Sequence, residues 1–117
     1  MAIRCLIVDD NATFLGEAEA LLRREGIAVV GVASSSDEAL ERAQELHPDV
    51  ALVDISLGSE SGFDLARRLV GLNSGRMDVI LISTHSGSDY AELIEAAPVA
   101  GFVPKSELSA GAIRRLL

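Results

Sequence analysis

The chain contains one cysteine, Cys5, which excludes an internal disulfide and a cysteine metal cluster. A lone cysteine within an apolar stretch reads as a small buried strand residue. Positive charge is also scarce: ten Lys and Arg stand against eighteen Asp and Glu, a formal charge of −8. Attraction to a phosphate backbone would work against such a domain, so nucleic acid is not expected as a direct partner. No apolar run approaches the roughly 20 residues of a membrane span. The stretch from Arg4 to Asp9-Asp10 has too little apolar length for a signal peptide. A cytoplasmic location without membrane association is expected. At 117 residues the chain is expected to be one domain, spanning residues 1–117, that buries about two thirds of its unfolded surface.

What is present is a set of short apolar runs that each end in chemistry. Val50-Ala51-Leu52-Val53 stops at Asp54, Leu6-Ile7-Val8 at Asp9-Asp10, Val79-Ile80-Leu81-Ile82 at Ser83-Thr84, and Phe102-Val103 at Pro104-Lys105. Runs without alternation suit parallel strands covered on both faces, and such sheets bind ligands outside their carboxyl ends. A carboxylate at the end of a core strand needs a reason, because burying it without a partner is costly.

Between these runs lie amphipathic helices. Phe14, Leu15, Ala18, Leu21 and Leu22 recur at helical spacing, with Asp10 or Asn11 as cap and Gly26 as stop. Ile27 to Ala33 reads as a second strand. Ser35 with Glu38 three residues on reads as a capping box for a helix that His47-Pro48 ends. A third helix follows Phe63, Leu65, Ala66, Leu69 and Val70, with Arg67 and Arg68 on its solvent side, and closes at Gly71 and Asn73-Ser74-Gly75. The remaining elements are a strand from Val79 to Ser83, a short helix over roughly 88–97 broken by Pro98, a strand from Ala100 to Val103, and a last helix through Leu108, Ala112, Ile113 and Leu116. No linker or output domain is expected within these residues.

Five βα units with right-handed crossovers predict an α/β fold: a single doubly wound five-stranded parallel sheet, order 2-1-3-4-5, with helices on both faces. In that order the first and third strands are neighbours at the switch point, which brings Asp9, Asp10 and Asp54 to one crevice and Ser83 and Lys105 alongside. These residues resemble the response-regulator receiver domains of two-component signalling, the CheY-like form of the flavodoxin-like fold, over nearly the whole chain. The matching positions are the acidic pair Asp9-Asp10, the phosphoacceptor Asp54, the hydroxyl Ser83 and the lysine Lys105. Gly62, eight residues after the acceptor, matches the family's loop, and Phe102 resembles its aromatic switch residue. Two positions depart from the pattern: Gly58 stands where the family usually has proline, and Ser106 follows the lysine where proline is usual. A cis bond there is not assured, since a non-proline cis peptide costs about 3 kcal/mol.

Three carboxylates in one crevice repel one another and call for a hard divalent cation with oxygen ligands, Mg²⁺ or Mn²⁺. Asp10 and Asp54 are expected to bind it directly, Asp9 through water or from behind, and the Ser56 carbonyl to complete the set. Asp54 is then the nucleophile that forms an aspartyl phosphate, while Lys105 and Ser83 hold phosphoryl oxygens. Ser56 and His85 are expected to tune hydrolysis, and Ser83 with Phe102 to switch a surface that includes Tyr90, Leu93, Ala96, Ala97, Pro98 and Val99. The resemblance implies a sensor histidine kinase or histidine phosphotransfer protein as donor. As output it implies a downstream protein, a missing effector domain or a phosphorylation-linked dimer. The domain is read as a signalling phosphoacceptor, not an enzyme beyond its own phosphotransfer and autodephosphorylation. A haloacid-dehalogenase-type phosphatase would need an acid where Ser56 stands. A nucleotide module would not open on Asp9-Asp10. A pseudo-receiver, binding protein without phosphorylation, is the alternative that keeps the fold.

Overall fold

The structure is a computed structural model that describes residues 2–72, 77–84 and 90–117. Five strands, β1 (Arg4–Val8), β2 (Ala28–Ala33), β3 (Val50–Asp54), β6 (Asp78–Ser83) and β7 (Gly101–Pro104), form one parallel sheet in the spatial order β2-β1-β3-β6-β7. Between β3 and residue 62 lies a second, two-stranded sheet of β4 (Ser56–Leu57) and β5 (Glu60–Ser61). The helices are α1 (Ala12–Arg24), α2 (Ser36–Leu46), α3 (Gly62–Gly71), α4 (Ala91–Ala96) and α5 (Ala110–Leu116), with a 3₁₀ turn at Lys105–Glu107. The predicted 2-1-3-4-5 order is therefore found, with β6 and β7 as its fourth and fifth members.

Successive side chains of a strand point to opposite faces, and here each face meets its own helices. Leu6, Val8, Ala51, Val53, Val79 and Leu81 pack with Ala39, Ala43, Leu65, Ala66 and Leu69, residues of α2 and α3. Cys5, Ile7, Val50, Leu52, Ile80 and Ile82 pack with Leu15, Ala18 and Leu22 of α1 and Ile113 of α5. Burial on both sides explains why the central strands read as unbroken apolar runs.

Helix starts follow their caps. Asn11, rather than Asp10, caps α1 by accepting from Phe14 N at 3.1 Å. Ser35 accepts from Glu38 N, but the Glu38 carboxylate reaches Ser34 N at 2.8 Å instead of Ser35 N, so the expected box is displaced by one residue. His47 ends α2 in the left-handed region at φ 47, ahead of Pro48. The expected fourth helix over 88–97 is described only as Ala91–Ala96, because residues 85–89 lie outside the described residues; no residue of that helix is buried. The loop at 73–75 also lies outside them. Among the described residues no helix is long and apolar enough to cross a membrane.

Candidate phosphoacceptor site

The parallel registers carry the chemistry to one rim. Val8 pairs with Val53, Asp54 with Ile82, and Ser83 with Pro104. One step along each strand, Asp9, Asp54, Ser83 and Lys105 therefore emerge side by side. The backbone is held there by Asp9 N donating to the Ala33 carbonyl and Ile55 N to the Ile82 carbonyl, both at 3.0 Å.

Asp9 is completely buried, and Asp54 and Ser83 are buried too, while Asp10 is exposed. Carboxylate oxygens of Asp9, Asp10 and Asp54 lie within 4.8 Å of one another. The Lys105 ammonium bridges two of them, 2.5 Å from Asp9 Oδ2 and 3.2 Å from Asp54 Oδ2. Toward Asp54 it donates a hydrogen bond. Toward Asp9 Oδ2 the contact is ionic but lacks a hydrogen-bond angle, leaving a fully buried carboxylate oxygen without a directed donor. Asp9 Oδ1 accepts from Asn11 N at 2.9 Å, and Asp54 Oδ1 from Ser56 N at 3.1 Å. One ammonium against three carboxylates leaves this rim strongly negative. Burial first, and then the Asp9 charge, push the Asp54 carboxyl above the usual carboxylate range against the Ser56 N–H and Lys105. Burial pulls the Lys105 amine down, but its close contact with Asp9, its hydrogen bond to Asp54 and the charges of both carboxylates outweigh it and hold the amine above its ordinary value.

An under-donated buried oxygen and three converging carboxylates fit a hard divalent cation, which prefers oxygen ligands and offsets their repulsion. The donor set contains no sulfur or imidazole among the described residues, which disfavours the softer transition metals.

The family comparison decides what kind of rim this is: residues 5–115 match the model of the response regulator receiver domain. The chain belongs to the receiver-domain family. It is 32% identical over 108 residues to the protein-glutamate methylesterase/protein-glutamine glutaminase of Alkalilimnicola ehrlichii, covering 90% of this chain and 27% of that protein. Among solved structures, a Burkholderia pseudomallei response regulator with a phosphorylated aspartic acid, calcium ion and citrate superposes with a TM-score of 0.84 at 25% identity, covering 98% of this chain and 66% of that one. The Vibrio cholerae chemotaxis protein CheY4 matches with a TM-score of 0.86 over 100% of both chains; at 20% identity this shows the fold alone. This receiver spans about half or less of the length of the curated relatives it matches.

The remaining expected residues fall as follows. Ser56 is exposed in β4, its N–H on Asp54. Phe102 in β7 is half-buried, against the α2/α3 side of the sheet. His85 lies outside the described residues. Periodicity assigned Phe14 only to a helix face, yet its ring centroid lies 4.3 Å from the Lys105 ammonium. Such a cation–π contact is worth about 0.5–2 kcal/mol and helps hold the lysine over the acids. Spacing alone could not show it, because it joins α1 to the turn after β7. The β4/β5 pair was likewise unforeseen; its two-residue strands are too short to leave a periodic signal.

Gly62 has a steric cause. A Cβ at this position would lie 2.0 Å from the Asp54 carbonyl oxygen, so only glycine lets the loop fold back onto the end of β3, where Gly62 N donates to the Ile55 carbonyl at 2.8 Å. Among the described residues no peptide bond is cis, including the one after Lys105.

Proposed function

We propose that this receiver accepts one phosphoryl group on Asp54, from a histidine kinase or phosphotransfer protein, and passes the signal through a protein-interaction surface. The observation that carries the reading is the Lys105 ammonium shared between Asp9 and Asp54 beside the exposed Asp10. The phosphorylated aspartic acid and the calcium ion in the Burkholderia pseudomallei relative support it.

In this reading Asp10 and Asp54 would hold Mg²⁺, with Asp9 and the Ser56 carbonyl as further oxygen donors. The bound ion supplies charge neutralisation that lets an anionic phosphoryl group approach. An Asp54 carboxylate oxygen attacks phosphorus, the new P–O bond forms, and the bond to the donor imidazole or acyl oxygen breaks with its electron pair leaving on the donor. Lys105, already hydrogen-bonded to Asp54 Oδ2, moves its donor to a phosphoryl oxygen. The Ser83 hydroxyl binds another, and Phe102 responds, shifting the face formed by α4, β7 and α5. Water returns the carboxylate by cleaving the acyl phosphate, at a rate to which Ser56 and His85 contribute.

Intact mass after incubation with acetyl phosphate tests this. The expected result is a single phosphoryl adduct that requires a divalent cation and is absent from Asp54→Asn. Undiminished labelling of that variant ends the proposal.

A further inference from the structure

The hairpin after Asp54 is tied to a helix that contributes nothing else to the site. Leu57 pairs with Glu60, so Gly58-Ser59 is a two-residue loop, and Gly58 sits at φ 60. Turns of this kind need a positive φ at their first central residue, and proline, fixed near −65°, cannot supply it. This accounts for glycine rather than proline at position 58. A side-chain carbon at Gly58 would stand 3.5 Å from Asp10 Oδ2, so the tip of the hairpin lies against that carboxylate. At its base Ser56 N donates to Asp54 Oδ1. Its second strand carries Glu60, whose Oε1 accepts from Ser36 N at 3.0 Å, 24 residues away in sequence. Ser36 opens α2, where the first backbone N–H groups have no partner within the helix and favour a negative charge.

We infer that Glu60 is a positioning residue of the phosphorylation site. By tethering the hairpin to α2 it holds Gly58 against Asp10 and the Ser56 N–H on Asp54, and so fixes the orientation of the two carboxylates that face the cation. The inference rests on reading this rim as a Mg²⁺-dependent phosphoacceptor. A β4/β5 pair of two residues each is too small to hold its own place, so an outside anchor has a large effect on it.

The bond can be removed from either side. Glu60→Ala deletes the acceptor. Ser36→Pro deletes the donor at the first helical position, where proline fits, and Ser35 before it is already extended at φ −147, ψ 166 as a pre-proline residue must be. Calorimetric titration with MgCl₂ should show each variant binding about tenfold more weakly, the lower end of what partners behind metal ligands are worth. The double variant should bind no more weakly than either single one, and Glu60→Gln, which keeps an acceptor oxygen, should recover most of the affinity. Saturating Mg²⁺ should return acetyl-phosphate labelling close to the wild-type rate. Wild-type Mg²⁺ affinity in both Glu60→Ala and Ser36→Pro, while the parent binds Mg²⁺ and labels at Asp54, overturns the positioning role alone. A parent that neither binds Mg²⁺ nor takes up phosphoryl groups overturns the underlying reading with it.

Discussion

At Asp54 burial and the neighbouring Asp9 charge oppose ionisation, while the Ser56 N–H and Lys105 favour it, and the opposing influences prevail. A carboxyl whose folded pKa lies above its unfolded value stabilises the fold at pH below the unfolded value, about 3.9, and that contribution is lost as pH rises through the folded value. Ionised Asp54 therefore costs stability at neutral pH. Asp54→Asn should raise the Tm of the metal-free domain at pH 7, and the gain should vanish in acid. Mg²⁺ should narrow the difference by stabilising the parent more than the variant, which keeps Asp9 and Asp10 but loses the third carboxylate. Thermal unfolding of both forms at pH 3 and pH 7 checks it; an unchanged or lower Tm at pH 7 contradicts the balance of charges described above. At Cys5 burial pushes the thiol up to about 12, so it stays protonated and enclosed. Iodoacetamide should leave it unmodified in the native domain at pH 8 and label it only as the chain unfolds.

Among the elements, the loop after Asp54 tolerates little change where it meets Gly62. Gly62→Ala must push a methyl group into backbone at 2.0 Å, with Ile55 Cα at 2.8 Å behind it, and no side-chain rotation relieves the clash. A loss of about 3 kcal/mol is expected, measured by urea unfolding, together with weaker Mg²⁺ binding as β3 and the hairpin separate. The long strands and helices were legible in the sequence because one face or both of each is apolar and because Asn11, Ser35 and Gly26 mark their ends. Asp9, Asp54, Ser83 and Lys105 were legible because each follows an apolar run. Contacts that cross between elements were not: Phe14 over Lys105, Glu60 on Ser36 and the Glu25 carboxylate on Ala110 N at 2.7 Å follow from register and turn geometry, which periodicity does not encode. The displaced box at Ser34 shows the same limit at shorter range, since one residue of slack decides which N–H a flexible glutamate finds.

For the molecule as a whole, the helix after β6 is the α-helix least committed to the core among the described residues. Within α4 no residue is buried and Leu93 is 51% exposed, whereas Tyr90, Ile94, Ala97 and Val99 pack on the core from one side only. Elements with so few buried contacts are the ones that shift at low cost. A phosphoryl mimic with Mg²⁺ should move amide NMR signals from Tyr90 to Ser106, well beyond the acid cluster; perturbations confined to the loops of Asp9, Asp10, Asp54 and Lys105 would remove this output route and leave the phosphate chemistry standing. The site itself has a different relation to the whole. Its carboxylates, hydroxyl and amine come from the ends of four strands, with Asp54 and Lys105 separated by 51 residues and Lys105 following the last strand of the sheet. No fragment short of β7 can present the ammonium to the acids. Under the phosphoacceptor reading proposed above, competence to receive a phosphoryl group would thereby require the complete sheet, and damaged copies of this domain would be silent instead of falsely active.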